Sequence, residues 1–217
     1  MTDMFMGTNT HLHMMETALI AIFAIVACTN HEKPVGLSIL PTSYQARNGD
    51  VVLRKGTGLT SRAVMFADGG SDYSHCGIVV IKNNKVMVVH AVPDEPDFEG
   101  DLDRVKLEPI EMFFSTIRAS KGCVLRCKNE QLAQKSAQTA LKIFQRGVLF
   151  DHNYDLSDTT KMYCSELVEL SYQANGIELS EGKRHNVNFP GLKFRNVILP
   201  SDFLQSDCLQ VIKVFND

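Results

Sequence analysis

Between Tyr73 and Val92 the chain runs Tyr-Ser-His-Cys-Gly-Ile-Val-Val-Ile-Lys, then Asn83-Asn84, then Lys-Val-Met-Val-Val-His-Ala-Val. Two β-branched runs hinged on an Asn-Asn pair leave little choice of local structure. Branched side chains favour a pleated strand, and Asn tolerates the left-handed backbone of a tight primed turn. The stretch therefore predicts an antiparallel hairpin, with His75 opening its first strand and His90 closing its second. In such a pair those two ends meet, so two imidazoles are expected side by side at the hairpin's open end.

A second constraint lies downstream. The polar, turn-rich stretch Phe150-Asp151-His152-Asn153-Tyr154-Asp155 leads to Met162-Tyr163-Cys164-Ser165-Glu166. Leu167, Val168, Ser171 and Tyr172 then follow Cys164 at helical spacing on one face, and Asn175-Gly176 supplies a helix end. Cys164 is thus expected in the first turn of a helix. Unpaired N–H groups and the positive end of the helix dipole favour an anion there, which lowers a thiol's pKa.

At 217 residues, 44% hydrophobic and 22% charged, the chain suits one globular domain with a real core. A net charge of −3 provides no basic surface for nucleic acid or an anionic membrane. Six cysteines at this length are not a disulfide scaffold.

Residues 18–27 form a ten-residue apolar run ending at Cys28, too short to cross a bilayer and the length of a signal-peptide core. Ile25-Val26-Ala27-Cys28 resembles the bacterial lipobox, whose cysteine is lipidated, although residues 1–17 contain Asp3 and Glu16 and no Lys or Arg. The expected division is a lipoprotein signal peptide at 1–27, a tether and extension at 28–47, and one domain at 48–217. That places the protein at the bacterial cell envelope, on the membrane only through a lipid anchor on Cys28.

Within the domain, a strand is expected from Val51 and a short helix over Ser61–Ala67. The acidic stretch 94–103 reads as a solvated surface loop, and Glu108–Ile117 as a short helix. Cys123 and Cys127 should share one buried face of a strand, with Cys76 and Cys208 also structural. An amphipathic helix is expected over Asn129–Gln145. Residues 186–200 read as mixed loop and strand, followed by a short helix capped by Ser201 or Asp202 and a closing strand over Cys208–Phe215. Asp50, Asp151 and Asp155 read as turn formers, and Glu166 and Glu169 as structural residues pointing off the apolar helix face.

Nucleophilic cysteine chemistry needs a thiolate, a base that takes and returns its proton, and a group that orients the base. Cys164, His75 and His90 can supply all three. His75 would partner the thiol, and His90 would accept its other ring N–H and fix the tautomer. This chemistry requires no metal and no cofactor. A zinc site built from the same three residues is the alternative use.

The motifs Tyr73-Ser74-His75-Cys76-Gly77-Ile78-Val79 and Tyr163-Cys164-Ser165-Glu166-Leu167-Val168 resemble the YiiX/YebB-like family. That group is the circularly permuted branch of the NlpC-type papain-like superfamily, in which the histidine precedes the cysteine. The pair of His75 and Val88-Val89-His90-Ala91-Val92-Pro93 also resembles the lecithin retinol acyltransferase branch. The resemblance implies an α+β fold, a small, mostly antiparallel sheet packed against the cysteine helix. It implies an active site where that helix meets the histidine end of the hairpin. The oxyanion would be held by the Cys164 N–H and a second donor, Tyr154 or Tyr73. A departure from the family pattern is His90, where many YiiX-like sequences carry Glu.

The implied activity is that of a cysteine peptidase or amidase working through a thioester on a peptide or acyl-amide substrate, with cell-wall peptides as the first class. The alternatives are a lipid acyl hydrolase or acyltransferase using the same residues, and a non-catalytic envelope binding protein.

Overall fold

The computed structural model describes residues 37–189 and 192–216. The chain divides into two units, Met1–Lys33 and Pro34–Asp217. The expected signal segment 1–27, the lipidation residue Cys28 and the tether to residue 36 lie outside the described residues. Among the described residues no helix is long and apolar enough to cross a membrane.

In chain order the elements are β1 (Val51–Gly56), α1 (Leu59–Ala67), β2 (His75–Lys82), β3 (Lys85–Val92), β4 (Arg104–Pro109), α2 (Ile110–Phe113), β5 (Ala119–Cys127), α3 (Glu130–Gln145), β6 (Leu149–Phe150), β7 (Lys161–Met162), α4 (Cys164–Gln173), β8 (His185–Phe189), β9 (Leu192–Val197), a 3₁₀ turn (Pro200–Gln205) and β10 (Leu209–Phe215). Eight strands form one sheet in the order β10-β5-β1-β2-β3-β4-β6-β7, and β8 and β9 form a separate hairpin. The neighbours in the large sheet are antiparallel except β6 and β7. This is the expected α+β, mostly antiparallel architecture, with α4 packed on the sheet.

The hairpin forms as its sequence dictates. Asn83 and Asn84 adopt φ of 50° and 59°, the paired left-handed values of a type I′ turn. Lys82 pairs with Lys85 and Ile78 with Val89, which fixes the register of β2 on β3.

Period-two alternation splits the sheet into two faces. On one face Ile78, Val89, Leu53 and Leu125 pack with Leu167 and Tyr172 of α4 and Ala137 and Ala140 of α3. On the other, Val52, Val79, Val88 and Val124 pack with Phe113, Phe114 and Phe215. Phe113 is fully buried, and truncating a phenylalanine so placed costs about 3–5 kcal/mol. Cys123 and Cys127 lie buried on the helix face, as their even separation requires. Residues 39–46 join the opposite layer, where Ile39, Leu40, Tyr44 and Ala46 pack against the second core.

Two expected elements are corrected. The helix placed at Glu108–Ile117 is only Ile110–Phe113, because Val105-Lys106-Leu107-Glu108 continues as β4 beside β3. The last helical segment is a 3₁₀ turn opening at Pro200, with Leu199 at the cap position. Proline suits a first position because it has no N–H to leave unpaired. Asp202 reaches back to accept the Leu199 N–H at 2.9 Å.

Candidate active site

Helix α4 begins at Cys164 because Tyr163 is extended, with φ −98° and ψ 173°. Its N–H is taken up by Glu166 Oε2 at 3.3 Å. The Tyr163 hydroxyl in turn accepts the Ile198 N–H at 2.9 Å, clamping the helix start to the chain beyond β9. Leu167, Val168 and Tyr172 are buried on the apolar face, while Cys164 is only partly buried.

Glu166 and Glu169 correct an expectation. Neither points off the helix into solvent: they are 1% and 2% exposed. Glu169 accepts the Ser180 N–H at 2.9 Å. Burial pushes the Glu166 carboxyl up to about 8. Their role is structural, but inside the fold.

The Cys164 thiol has two close neighbours on the helix side. Ser165 Oγ lies 3.8 Å from Cys164 Sγ and accepts from Cys76 Sγ at 3.6 Å. Cys76, expected to be an inert core residue, therefore adjoins the candidate nucleophile. Its thiol is the main influence holding the Cys164 thiol well below the ordinary cysteine range; burial opposes this and the contact with His75 adds to it. Burial holds the Cys76 thiol itself up, so it is the proton donor of the two.

His75, His90, Glu108 and Arg54 all fall on the Phe113 face of the sheet by strand alternation. His75 is 6% exposed and His90 fully buried. His75 Nε2 lies 2.8 Å from His90 Nδ1. His90 Nε2 lies 3.1 Å from Glu108 Oε1, an oblique charge contact in which neither atom makes a hydrogen bond. Arg118 donates to Glu108 Oε2 at 2.7 Å.

A single tautomer assignment suits this row, and it is inferred from the network. His75 donates from Nε2 to His90, and His90 from Nε2 toward the Glu108 carboxylate. That leaves Nδ1 of His75 for the Cys164 thiol, which adjoins it. Burial and then the Arg54 charge lower the pKa of His75, so it is a neutral base at rest. Burial disfavours the Glu108 carboxylate, but His90 and Arg118 outweigh it and hold the group below the usual carboxylate range.

The structure thus brings Cys164, His75 and His90 together as expected and adds Glu108, which the sequence reading placed on a helix. The signal was present in the alternation of Val105 and Leu107 with Lys106 and Glu108. It was too short to prevail against a helical reading of Glu108–Ile117.

The two tyrosines separate. Tyr154, at φ 54°, packs on Tyr163 and Phe194 with ring centroids at 5.0 and 4.2 Å. Burial and then the Cys164 charge raise its phenol, which places it near the thiol. Tyr73 is buried beside Cys123 on the helix face of the sheet. It lines a cavity of about 640 Å³ with Asp68, His185, Ser201 and Asp202, to which Cys164 does not contribute. Its ring lies in the core on the helix face.

Among the described residues no three His, Cys, Asp or Glu side chains are grouped to hold a metal ion. Nε2 of His75 and Nδ1 of His90 face each other at 2.8 Å and are taken up in that contact.

A family model described as "permuted papain-like amidase enzyme, YaeF/YiiX, C92 family" matches residues 45–213. The chain belongs to this family. The order of its site residues, His75 before Cys164, is that of the permuted papain-like arrangement. The chain is 30% identical over 152 residues to the uncharacterized protein YiiX of Escherichia coli K12, covering 68% of each chain. A crystal structure titled as the metalloprotein yiiX from Escherichia coli O157:H7 superposes with a TM-score of 0.63 at 24% identity. The match covers 78% of this chain and 98% of that one, and supports the fold.

The acidic stretch 94–103 also departs from expectation. Glu95 is not solvated: its side chain is 18% exposed and pairs with Arg54 and Arg118. Asp50, Asp151 and Asp155 behave as expected. Asp50 takes Arg126 and Tyr44, Asp151 accepts the Asn153 N–H at 2.9 Å, and Asp155 accepts the Ser157 N–H at 2.9 Å.

Proposed function

We propose that the protein is a thiol amidase in which Cys164 is the nucleophile, His75 the acid–base group and His90 its orienting partner, backed by Glu108. The observation that carries this reading is the row of side chains from the helix-opening thiol through two buried, hydrogen-bonded imidazoles to a buried carboxylate in charge contact. A buried row of polar groups aimed at one partly exposed thiol has no packing advantage over apolar residues of similar size.

The proton follows the row. His75 Nδ1 takes the thiol proton, and the imidazolium is stabilised through His90 by Glu108. The thiolate attacks the carbonyl carbon of an amide, and the oxyanion is met by the Cys164 N–H, unpaired in the first helical turn. Tyr154 is our second donor. His75 then protonates the departing amine as the C–N bond breaks, leaving a thioester. Water, deprotonated by His75, attacks the thioester, and Cys164 leaves with its proton restored.

Peptide amides of the cell wall are the first substrate class, which suits the envelope location that a lipobox-like sequence ending at Cys28 would give. Lipid acyl esters and amides are the second, since the same residues serve both.

The test is site-specific labelling of Cys164 by iodoacetamide across pH 5 to 9, with turnover screens on peptidoglycan fragments and on acyl lipids. Fast labelling below pH 7 that His75→Ala abolishes supports the reading, as does turnover lost in Cys164→Ala by at least about 10³-fold. Labelling only near the ordinary cysteine range of about pH 8.5 overturns it in favour of a binding protein. The titled description of the Escherichia coli relative as a metalloprotein makes a chelator control part of this test. Activity insensitive to the chelator favours the metal-free route. Replacing Cys28 with Ser and following lipid incorporation tests the anchor.

A further inference from the structure

Beyond the catalytic row, the Phe113 face carries an unusual density of buried charge. Arg54 on β1, Lys106 on β4 and Arg118 just before β5 have side chains only 3%, 3% and 12% exposed. Arg54 is the direct cross-strand partner of His75, and Lys106 of His90. Three cations therefore border the two imidazoles that must share a positive charge when Cys164 ionises. Glu108 offsets Arg118, and Asp97 meets Lys106 at 2.7 Å.

Arg54 has no carboxylate partner on the sheet. It donates to the Phe113 carbonyl at 2.9 Å and lies 4.7 Å over the Phe113 ring. His75 stacks on the same ring at 5.6 Å, and His90 meets it edge-on at 5.2 Å. The carboxylate that reaches Arg54 comes from the loop after β3, where Glu95 turns inward to contact it while Asp94 and Glu99 stay exposed. The second Glu95 oxygen lies 3.2 Å from Arg118.

We propose that Glu95 is a positioning residue for the catalytic pair: its carboxylate bridges Arg54 and Arg118 and thereby lets the His75–His90 couple become positive. Glu95 touches neither imidazole in a hydrogen bond and acts through the two guanidiniums. The inference rests on the proposed role of Cys164 and His75. It gives the acidic loop a function, since one of its carboxylates completes the charge balance of the site from outside the sheet. The direction agrees with the local electrostatics: after burial, the Arg54 charge is the main influence lowering His75.

The experiment uses the full chain and two readouts, iodoacetamide labelling of Cys164 from pH 5 to 9 and the NMR titration of the His75 ring. Glu95→Gln, with an unchanged circular dichroism spectrum, is expected to move the labelling midpoint up by about one pH unit, about tenfold slower labelling at pH 6. Adding Arg54→Met to it should return the midpoint toward wild type, an effect a merely structural role would not produce. Glu99→Gln, exposed in the same loop, should leave the midpoint in place. Should Glu95→Gln fail to fold, Arg54→Met alone supplies the opposite sign, a lowered midpoint. A wild type activated below pH 7 with an unmoved midpoint in Glu95→Gln, or in Arg54→Met, overturns this inference alone. A wild type that labels only near pH 8.5 overturns the functional reading and this inference with it.

Discussion

A Cβ placed on Gly77 would lie 3.0 Å from the Cβ of His90 and 2.6 Å from Cγ1 of Val88. The glycine on β2 is therefore the gap into which β3 fits its histidine, two residues along from His75 on the same face. His75 and His90 are diagonal neighbours, a spacing that long or planar side chains span. A side chain at 77 would separate them.

Gly77→Ala tests that relationship. The extra methyl forces β3 to shift or Val88 to rotate, at about 1–3 kcal/mol for overpacking. A displacement of even ~1 Å at a reacting pair can lower turnover about 10²-fold. Thermal melts and Cys164 labelling rates measure the two effects. A variant that melts and labels like wild type would show that the imidazoles do not depend on this gap.

Glu108→Gln removes the carboxylate under His90 while keeping its size. Leaving Arg118 and His90 short of a counter-charge should destabilise the domain by roughly 3 kcal/mol. The sign with pH follows from the depressed Glu108 pKa. Its contribution is full above the unfolded carboxylate value of about 4.3 and is lost as pH falls below it toward the folded value. Urea melts should therefore separate wild type and variant strongly at pH 7 and progressively less below pH 4. A constant gap across that range would argue against the charge contact.

Cys76→Ala asks whether the second thiol activates the first. Removing the donor beside Cys164 should raise the pH at which Cys164 is alkylated and slow labelling at pH 6 by several-fold, with Cys164 still the labelled site. An unchanged profile would return Cys76 to the role of a core residue.

Glu166→Gln reads out the buried carboxyl at the helix start. A carboxyl held up to about 8 in the folded state keeps its proton while the unfolded chain loses its own. Wild-type stability from this group is thus present below about pH 4.3 and falls as pH rises toward 8. Gln mimics the protonated form, so the variant should match wild type near pH 4 and exceed it at pH 8 by at least about 1 kcal/mol, roughly 2–4 °C in Tm for a domain of this size. A variant less stable than wild type at pH 8 would mean that Glu166 is ionised in the fold.

Much of the site was legible before any coordinates. The hairpin, its Asn83-Asn84 turn, the start of α4 at Cys164 and the meeting of His75 with His90 follow from short-range pattern: period-two branching, turn chemistry and helical spacing. Glu108, Cys76 and Glu95 were misread for one shared reason. Each owes its role to a neighbour far along the chain: Glu108 to His90 on the adjacent strand, Cys76 to Ser165 across the helix–sheet interface, Glu95 to Arg54 two strands away in the sheet order.

Tyr73 and Tyr154 make the same point from the other side. Both flank site residues in sequence, at two and ten positions, and nothing in their identity says which ring turns toward the thiol. Packing separates them: Tyr73 lines the cavity with Asp68 and His185, and Tyr154 is held against Tyr163 and Phe194. The sequence by itself determined the hairpin that aligns two imidazoles and the helix start at Cys164, because those depend on backbone periodicity over a few residues. Only the tertiary structure decided the charges around them, because strand order and side-chain burial set which distant carboxylate meets which cation, and a buried charge must find its partner wherever the chain brings one.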